Sequence, residues 1–212
     1  MGKLRTIVLG SNSGLCNRLR QIAQYIGQYD HIRYLWPKND ACPAKFNELF
    51  HPMAKLNVVD SSSKEAMKYK KYSKAPLALS VLDFIPIFPI PSIPNQYIAV
   101  HIRRTDIQRV LKKYKMSPIP DEEYFKWIDS QDCDNIFLAT DNAKTQSTFR
   151  ERYKDRLLCS SIISTYGSNI SPTRCTSVQH AIIDIHTCIK ATSFMGTAGS
   201  SFTGEILRAR SK

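Results

Sequence analysis

The stretch YIAVHIRRTDI, residues 97–107, carries an apolar run that stops abruptly at Arg103, Arg104 and Asp106. Charge at the mouth of a buried strand must meet water or a partner. A guanidinium offers a planar fork that matches phosphate oxygens two at a time, which makes an anionic ligand one natural partner. Neighbouring residues of an extended chain point to opposite faces, so only one of the two arginines can aim into a given pocket while the other holds the scaffold. The competing reading is a surface salt bridge from an arginine to Asp106.

Three further constellations invite the same question. GTAGSSFTGEI, residues 196–206, puts small residues between an expected strand and an expected helix. First-turn N–H groups and the hydroxyls of Ser200 and Ser201 could receive a phosphate there, or the serines could simply cap the helix. No Walker lysine follows, and GxGxxG does not match. Asp184, in HAIIDIHTCI, lies at the edge of a helical apolar stripe. Such a carboxylate can be merely solvated; facing a pocket, its two oxygens would accept both N–H groups of guanine's Watson–Crick edge. SGLCNRLRQIAQY places Asn17, Arg18 and Arg20 at the start of a helix, where an amphipathic helix with exposed arginines is the simpler account.

These groups need elements to position them. The periodicity predicts strands at 5–9, 32–36 and 56–60, a helix over 15–28 and a short helix in PAKFNELF. Residues 61–95, with five prolines, read as a covering segment and linker without regular structure; Phe84, Ile85, Ile87 and Phe88 should pack on something. A second alternation follows. Strands are expected at 97–102, 135–140, 157–163 and 193–196, with helices at 121–129, 142–156, 177–190 and 201–210. The whole reads as an α/β chain of Rossmann-like character, in which ligands collect at the carboxyl ends of parallel strands. The boundaries expected are a small N-terminal Rossmann-like domain with its Pro-rich linker, 1–93, and a C-terminal Rossmann-like domain, 94–212; the family resemblance described below implies that the first is the acceptor side and the second binds the nucleotide sugar.

At 212 residues the chain can bury a sizeable core. A net charge of +12 favours anionic partners without choosing among nucleic acid, phosphate-bearing metabolites and acidic surfaces. No apolar run approaches the roughly 20 residues that span a bilayer, and the N-terminal apolar stretch is short for a signal peptide, so a soluble, cytoplasmic protein is expected. The six cysteines show no CxxC pair and no zinc-type spacing, so they are expected to be free, buried thiols rather than metal ligands.

Assembled, these motifs resemble the GDP-fucose-using fucosyltransferase superfamily, which includes α1,6-fucosyltransferases and protein O-fucosyltransferases. VHIRRTD (100–106) is similar to their VHVRRTD, and FLATDN (137–142) to YLATDD. Residues 184–206 follow their order of DIH, alanine, strand and SS-helix. GLCNRLR resembles the superfamily's N-terminal motif, although the likeness is patchy before residue 97.

The resemblance implies a GT-B-like fold of two Rossmann-like domains with parallel sheets and a cleft between them. It also implies metal-independent, inverting transfer of L-fucose from GDP-fucose to a glycan acceptor, with no cofactor. Carried over, Arg103 would grip the β-phosphate and take the central catalytic role. His101 and Asp184 would contact guanosine, Ser200 or Ser201 the diphosphate, and Asp141 would line the same pocket. Asn17 and Arg18 would close the cleft over the sugar. The chain departs from the pattern after the arginines: IQRVLKKYKMSPIP has no carboxylate where the α1,6 enzymes place one near the acceptor. Asp106, Asp121, Glu122 and Glu123 are the nearest candidates for a base. Other readings are transfer from GDP-mannose or a UDP-sugar, a non-catalytic GDP-sugar binder, and a single-stranded nucleic-acid binder using the Lys–Tyr runs KYKKYSK and LKKYK.

Overall fold

The computed structural model describes residues 4–71, 73–93, 96–105, 107–161 and 176–211. The chain divides into two compact units, Met1–Pro89 and Ile90–Lys212. Both are built on parallel sheets.

In the first unit, β1 (Thr6–Gly10), β2 (His31–Pro37) and β3 (Leu56–Ser61) pair in that order, all parallel. Helix α1 (Leu15–Tyr25) makes the crossover between β1 and β2, burying Leu15, Leu19, Ile22 and Ala23. A run of rings extends the core: Tyr34, Trp36, Phe46, Phe50 and Phe84 follow one another at centroid spacings of 5.3–5.9 Å. PAKFNELF forms only a single 3₁₀ turn, Phe46–Glu48.

The segment after β3 is more regular than its composition implies. Helix α2 (Ser63–Lys68) forms because Ser62 caps it, its hydroxyl accepting the Glu65 N–H at 3.1 Å. The S-x-x-E signature of such a cap stands in the sequence at 62–65. Further on, the chain clasps α1. Gln21 and Gln24 donate to the carbonyls of Lys71 and Ser73, and the Ala78 N–H donates to the Ala23 carbonyl. Of the four apolar residues expected to pack there, Phe84 is fully buried, whereas Ile85 and Ile87 are exposed. The backbones of Ile85 and Ile87 are what bind, to His51 and Leu49.

Gly10 shows how tightly α2 sits on the end of β1. A Cβ there would lie 2.6 Å from the Ala66 carbonyl oxygen and 2.9 Å from its Cα, and backbone cannot swing aside. Gly10→Ala is therefore expected to cost about 2 kcal/mol, lowering the unfolding temperature by roughly 4–8 °C in a thermal melt. An unchanged melt would mean that α2 does not seat on β1 this closely.

In the second unit, β4 (Tyr97–Ile102), β5 (Asn135–Thr140), β6 (Leu157–Leu158) and β7 (Phe194–Gly196) form one parallel sheet in the order β6-β5-β4-β7. Successive strands step one way from β4 to β6, and the chain then returns to the other side of β4. That reversal is the topological switch point at which ligands bind in such sheets. The helices are α3 (Ile107–Tyr114), α4 (Asp121–Asp129), α5 (Ala143–Tyr153), α6 (Val178–Lys190) and α7 (Ser201–Arg210). All six residues of β4 are buried, as expected of a central strand covered on both faces.

Helix α3 was not among the expected elements; it occupies residues read as a loop. Its signal is Ile107, Val110 and Leu111 at helical spacing, with Ile107 and Leu111 buried. The strand expected at 157–163 is regular only over Leu157–Leu158, and its far end lies outside the described residues. Arg210 closes the C-terminus of α6, donating to the carbonyls of Ile189, Ala191 and Thr192 that the helix leaves unpaired. Among the described residues no helix is long and apolar enough to cross a membrane.

Candidate functional site

The carboxyl ends of β4 and β7 are fastened by one hydroxyl. Thr197, the residue after β7, donates from Oγ1 to the His101 carbonyl at 3.0 Å and accepts the backbone N–H of Arg103 at 2.9 Å. Its own N–H also donates to the His101 carbonyl. Tyr124, buried on α4, brings its hydroxyl to within 3.1 Å of the same Oγ1. The path of the chain into Arg103 is thus set by a residue nearly a hundred positions away, which no local pattern could reveal. Thr197→Val keeps the shape and removes the hydroxyl, leaving the Arg103 N–H without its acceptor. The expected cost is about 2 kcal/mol, read as a lower unfolding temperature; a melt equal to the parent's would dismiss this clamp.

His101 is buried, with Nδ1 2.8 Å from Thr203 Oγ1 and its ring stacked on Phe202 at 4.3 Å. Burial, reinforced by the Arg103 charge, pulls its pKa down to about 3, so the imidazole is neutral and presents one donor and one acceptor. The strand and helix come this close because residue 196 is glycine: a Cβ there would meet Thr203 Cγ2 at 2.6 Å. The turn that follows passes through Gly199 at φ +73° into α7. Ser200, the N-cap residue, makes no side-chain cap bond; its hydroxyl is buried without a hydrogen-bond partner among the described residues. A buried, unpaired hydroxyl costs about 1–3 kcal/mol. Ser201 begins the helix beside it.

Arg104 serves the scaffold. Its guanidinium donates to the Ile119 carbonyl at 2.6 Å, pairs with Asp121 and lies 5.9 Å from the centre of the Tyr124 ring. Asp141, just past β5, accepts the backbone N–H of Arg104 at 2.8 Å and of Thr105 at 3.4 Å. Burial raises the Asp141 carboxyl, opposed by the Arg104 N–H and then by the Arg103 charge. Arg103 therefore acts electrostatically on both His101 and Asp141, which places its charge at the carboxyl edge of the sheet. Asp106, the other candidate catalytic residue, lies outside the described residues.

Asp184 sits on the β6 flank of the same unit. It is 6% exposed, and Ser160, just past β6, donates its hydroxyl to Oδ1 at 2.5 Å. Burial pushes the carboxyl up to about 7, with the Ser160 bond opposing. Ser160, Thr197, Tyr124 and Thr203 all support this region, and none stood out in the sequence.

In the first unit Asn17 is exposed, whereas Arg18 is completely buried. Arg18 donates to the carbonyls of Ser13 and Pro37 and to Asn39 Oδ1, at 2.6, 2.7 and 3.0 Å, with its guanidinium 4.8 Å from the centre of the Trp36 ring. This contrasts with the exposed arginine of a simple amphipathic helix: Arg18 pins the β1–α1 loop to the end of β2. Among the described residues, no group of three or more His, Cys, Asp or Glu side chains is placed to hold a metal ion.

No protein-family profile matches the chain, and no curated protein matches it in sequence. Among solved structures it is similar to the crystal structure of NodZ alpha-1,6-fucosyltransferase soaked with GDP-fucose. The TM-score is 0.57 at 12% sequence identity, covering 96% of this chain and 92% of the other. At that identity the likeness is one of fold: an α/β architecture of parallel sheets similar to that of the other structure.

Proposed function

We propose that this chain is a glycosyltransferase that takes a sugar from a guanosine diphosphate donor, with L-fucose the sugar the motif resemblance favours, and passes it to a glycan hydroxyl. One observation carries the reading. The Ser200 hydroxyl is held buried and unpaired at the N-terminus of a ten-residue helix, at the switch point of the sheet and in the turn whose first residue, Thr197, fixes Arg103. A helix N-terminus with such a donor suits a phosphate group.

In this reading Arg103 takes the outer phosphate bidentately, and Ser200, Ser201 and the first N–H groups of α7 take the remaining diphosphate oxygens. His101 and Asp184 recognise the nucleoside, Asp184 through paired N–H donors of a guanine. Asp141 lines the pocket and holds the Arg104–Thr105 backbone. Transfer breaks the bond between the sugar's anomeric carbon and the β-phosphate oxygen, which keeps the electron pair. A new bond forms to the acceptor oxygen, which gives up its proton. Fixed positive charge at the departing phosphate lowers the barrier to that step. Arg103 is assigned this role, the one a divalent cation fills in other transferases. The acceptor's proton would pass to a carboxylate nearby, for which Asp106, Asp121, Glu122 and Glu123 are the candidates.

A thermal-shift panel tests the donor. GDP is expected to raise the unfolding temperature, and UDP, ADP and CDP at equal concentration to raise it far less. Release of GDP from GDP-fucose in the presence of glycans then separates a transferase from a silent binder. No stabilisation by any of the four nucleotides would overturn the proposal.

A further inference from the structure

His101 Nδ1 and Thr203 Oγ1 stand 2.8 Å apart, and either atom has a hydrogen to give. The surroundings decide which one gives it. We propose that Thr203 is a positioning residue: it donates to His101 Nδ1 and so fixes the tautomer in which Nε2 carries the proton and offers a hydrogen-bond donor to the nucleoside. The step to the nucleoside rests on the transferase reading above; the tautomer does not.

The first argument counts hydrogens. A threonine hydroxyl has one hydrogen to place, and a neutral imidazole has one N–H and one bare nitrogen. Burial and the Arg103 charge keep this ring neutral. Thr203 is 6% exposed, and His101 Nδ1 is the one hydrogen-bond partner of its hydroxyl among the described residues. If Nδ1 held the proton and gave it to Oγ1, the hydroxyl hydrogen would be left without an acceptor in a buried place. A buried donor left unpaired carries its full desolvation penalty. With the direction reversed, the hydroxyl donates, the bare Nδ1 accepts, and the proton sits on Nε2. That nitrogen is not among the occluded, unpaired side-chain atoms of the described residues, so its hydrogen is not stranded.

Packing supplies the second. A threonine inside a helix commonly returns its hydroxyl to a carbonyl of the preceding turn. Thr203 instead reaches across from α7 to β4. Its two branches lie against Gly196, where a Cβ would meet Cγ2 at 2.6 Å and Oγ1 at 2.7 Å, so the rotamer that aims Oγ1 at His101 is packed in place. Phe202, one position earlier on α7, covers the imidazole face with ring centroids 4.3 Å apart and planes 23° apart. That stack resists the flip that would exchange Nδ1 and Nε2. A donor oriented before its ligand arrives loses little freedom on binding. The group it complements is a lone pair of the nucleoside, such as a base carbonyl or a ring nitrogen.

Two-bond proton–nitrogen correlation NMR on the full chain distinguishes a protonated ring nitrogen from a bare one, with the His101 signals assigned through their nuclear Overhauser contacts to the Phe202 ring. Without nucleotide, the parent is expected to show Nδ1 bare and Nε2 protonated. Thr203→Val keeps the shape and removes the hydroxyl, so its ring nitrogens should move to the averaged shifts of exchanging tautomers. Thr203→Ser keeps the hydroxyl and should keep the parent pattern. In GDP titrations Thr203→Val is expected to bind about fivefold more weakly and Thr203→Ser to stay within about twofold of the parent. With GDP-fucose the same loss should appear in KM, leaving kcat nearly unchanged. A threonine that only filled space would alter the melt and not the tautomer. A proton on Nδ1 in the parent overturns the proposal even if Thr203→Val does not fold. An unchanged tautomer in Thr203→Val, or equal GDP affinity in all three proteins, overturns it as well. A parent that shows the expected tautomer and binds no GDP overturns the transferase reading and the nucleoside step, and leaves the hold of Thr203 on the ring.

Discussion

With Arg103 replaced by alanine, turnover of the sugar nucleotide is expected to fall by about 10²–10³-fold, the usual consequence of deleting one charge-stabilising group from a transition state. GDP affinity should fall less, because the arginine's contribution grows as charge accumulates on the departing phosphate. Arg103→Lys keeps the charge and loses the two-pronged geometry, so it should recover part of the ground-state binding and little of the rate. The measurement is steady-state kinetics on GDP-fucose alongside GDP titration calorimetry. Near-normal kcat in both variants would remove Arg103 from the chemistry. Arg104 provides the contrast: bound to Asp121 and the Ile119 carbonyl, it is expected to register in stability before catalysis.

Asp184 gives the second large effect. Its carboxyl is raised from an ordinary 3.8 to about 7 by burial, so the folded protein holds the proton more tightly than the unfolded chain does. That stabilisation is complete below about pH 4 and is lost as the pH rises through about 7. Asp184→Asn cannot ionise, and at pH 8 the unliganded variant is expected to be more stable than the parent by roughly 1–4 kcal/mol.

Binding runs the opposite way. Guanine's N–H donors need the ionised carboxylate, whose fraction rises from about one-tenth at pH 6 to about nine-tenths at pH 8. GDP-fucose, whose diphosphate diester does not titrate in this range, should therefore bind about tenfold more tightly at pH 8. In Asp184→Asn the pH dependence should vanish and affinity at pH 8 drop by about 100-fold or more, since two charge-assisted hydrogen bonds go. A flat pH profile in the parent would sever Asp184 from the nucleotide.

The opposed signs are characteristic of a binding group. An aspartate held in a buried site, with the Ser160 hydroxyl its one hydrogen-bond donor among the described residues, destabilises the empty fold, and a ligand bringing its own donors would offset that cost. Ser200 follows the same logic with a hydroxyl in place of a carboxylate.

The amino-acid sequence alone determined the alternation of strands and helices in the second unit. Runs such as YIAVHI and NIFLAT are buried on both faces and report themselves locally, and the stripe of α6 repeats at helical spacing. It also marked the loops after β4, β5 and β7 as the chemically charged ones. It understated α2 and α3, where lysine-rich composition masked a capping signature and a three-residue apolar stripe. Only the tertiary structure decided what each polar side chain faces. Arg18 is buried against Trp36, Arg104 is tied to α4, Thr197 joins β7 to β4, and the hydroxyl of Ser200 is left unpaired. Periodicity is a property of neighbours along the chain, whereas burial and hydrogen-bond partners depend on residues tens of positions away. The desolvation that sets the pKa of Asp184 does not exist until those distant residues close around it.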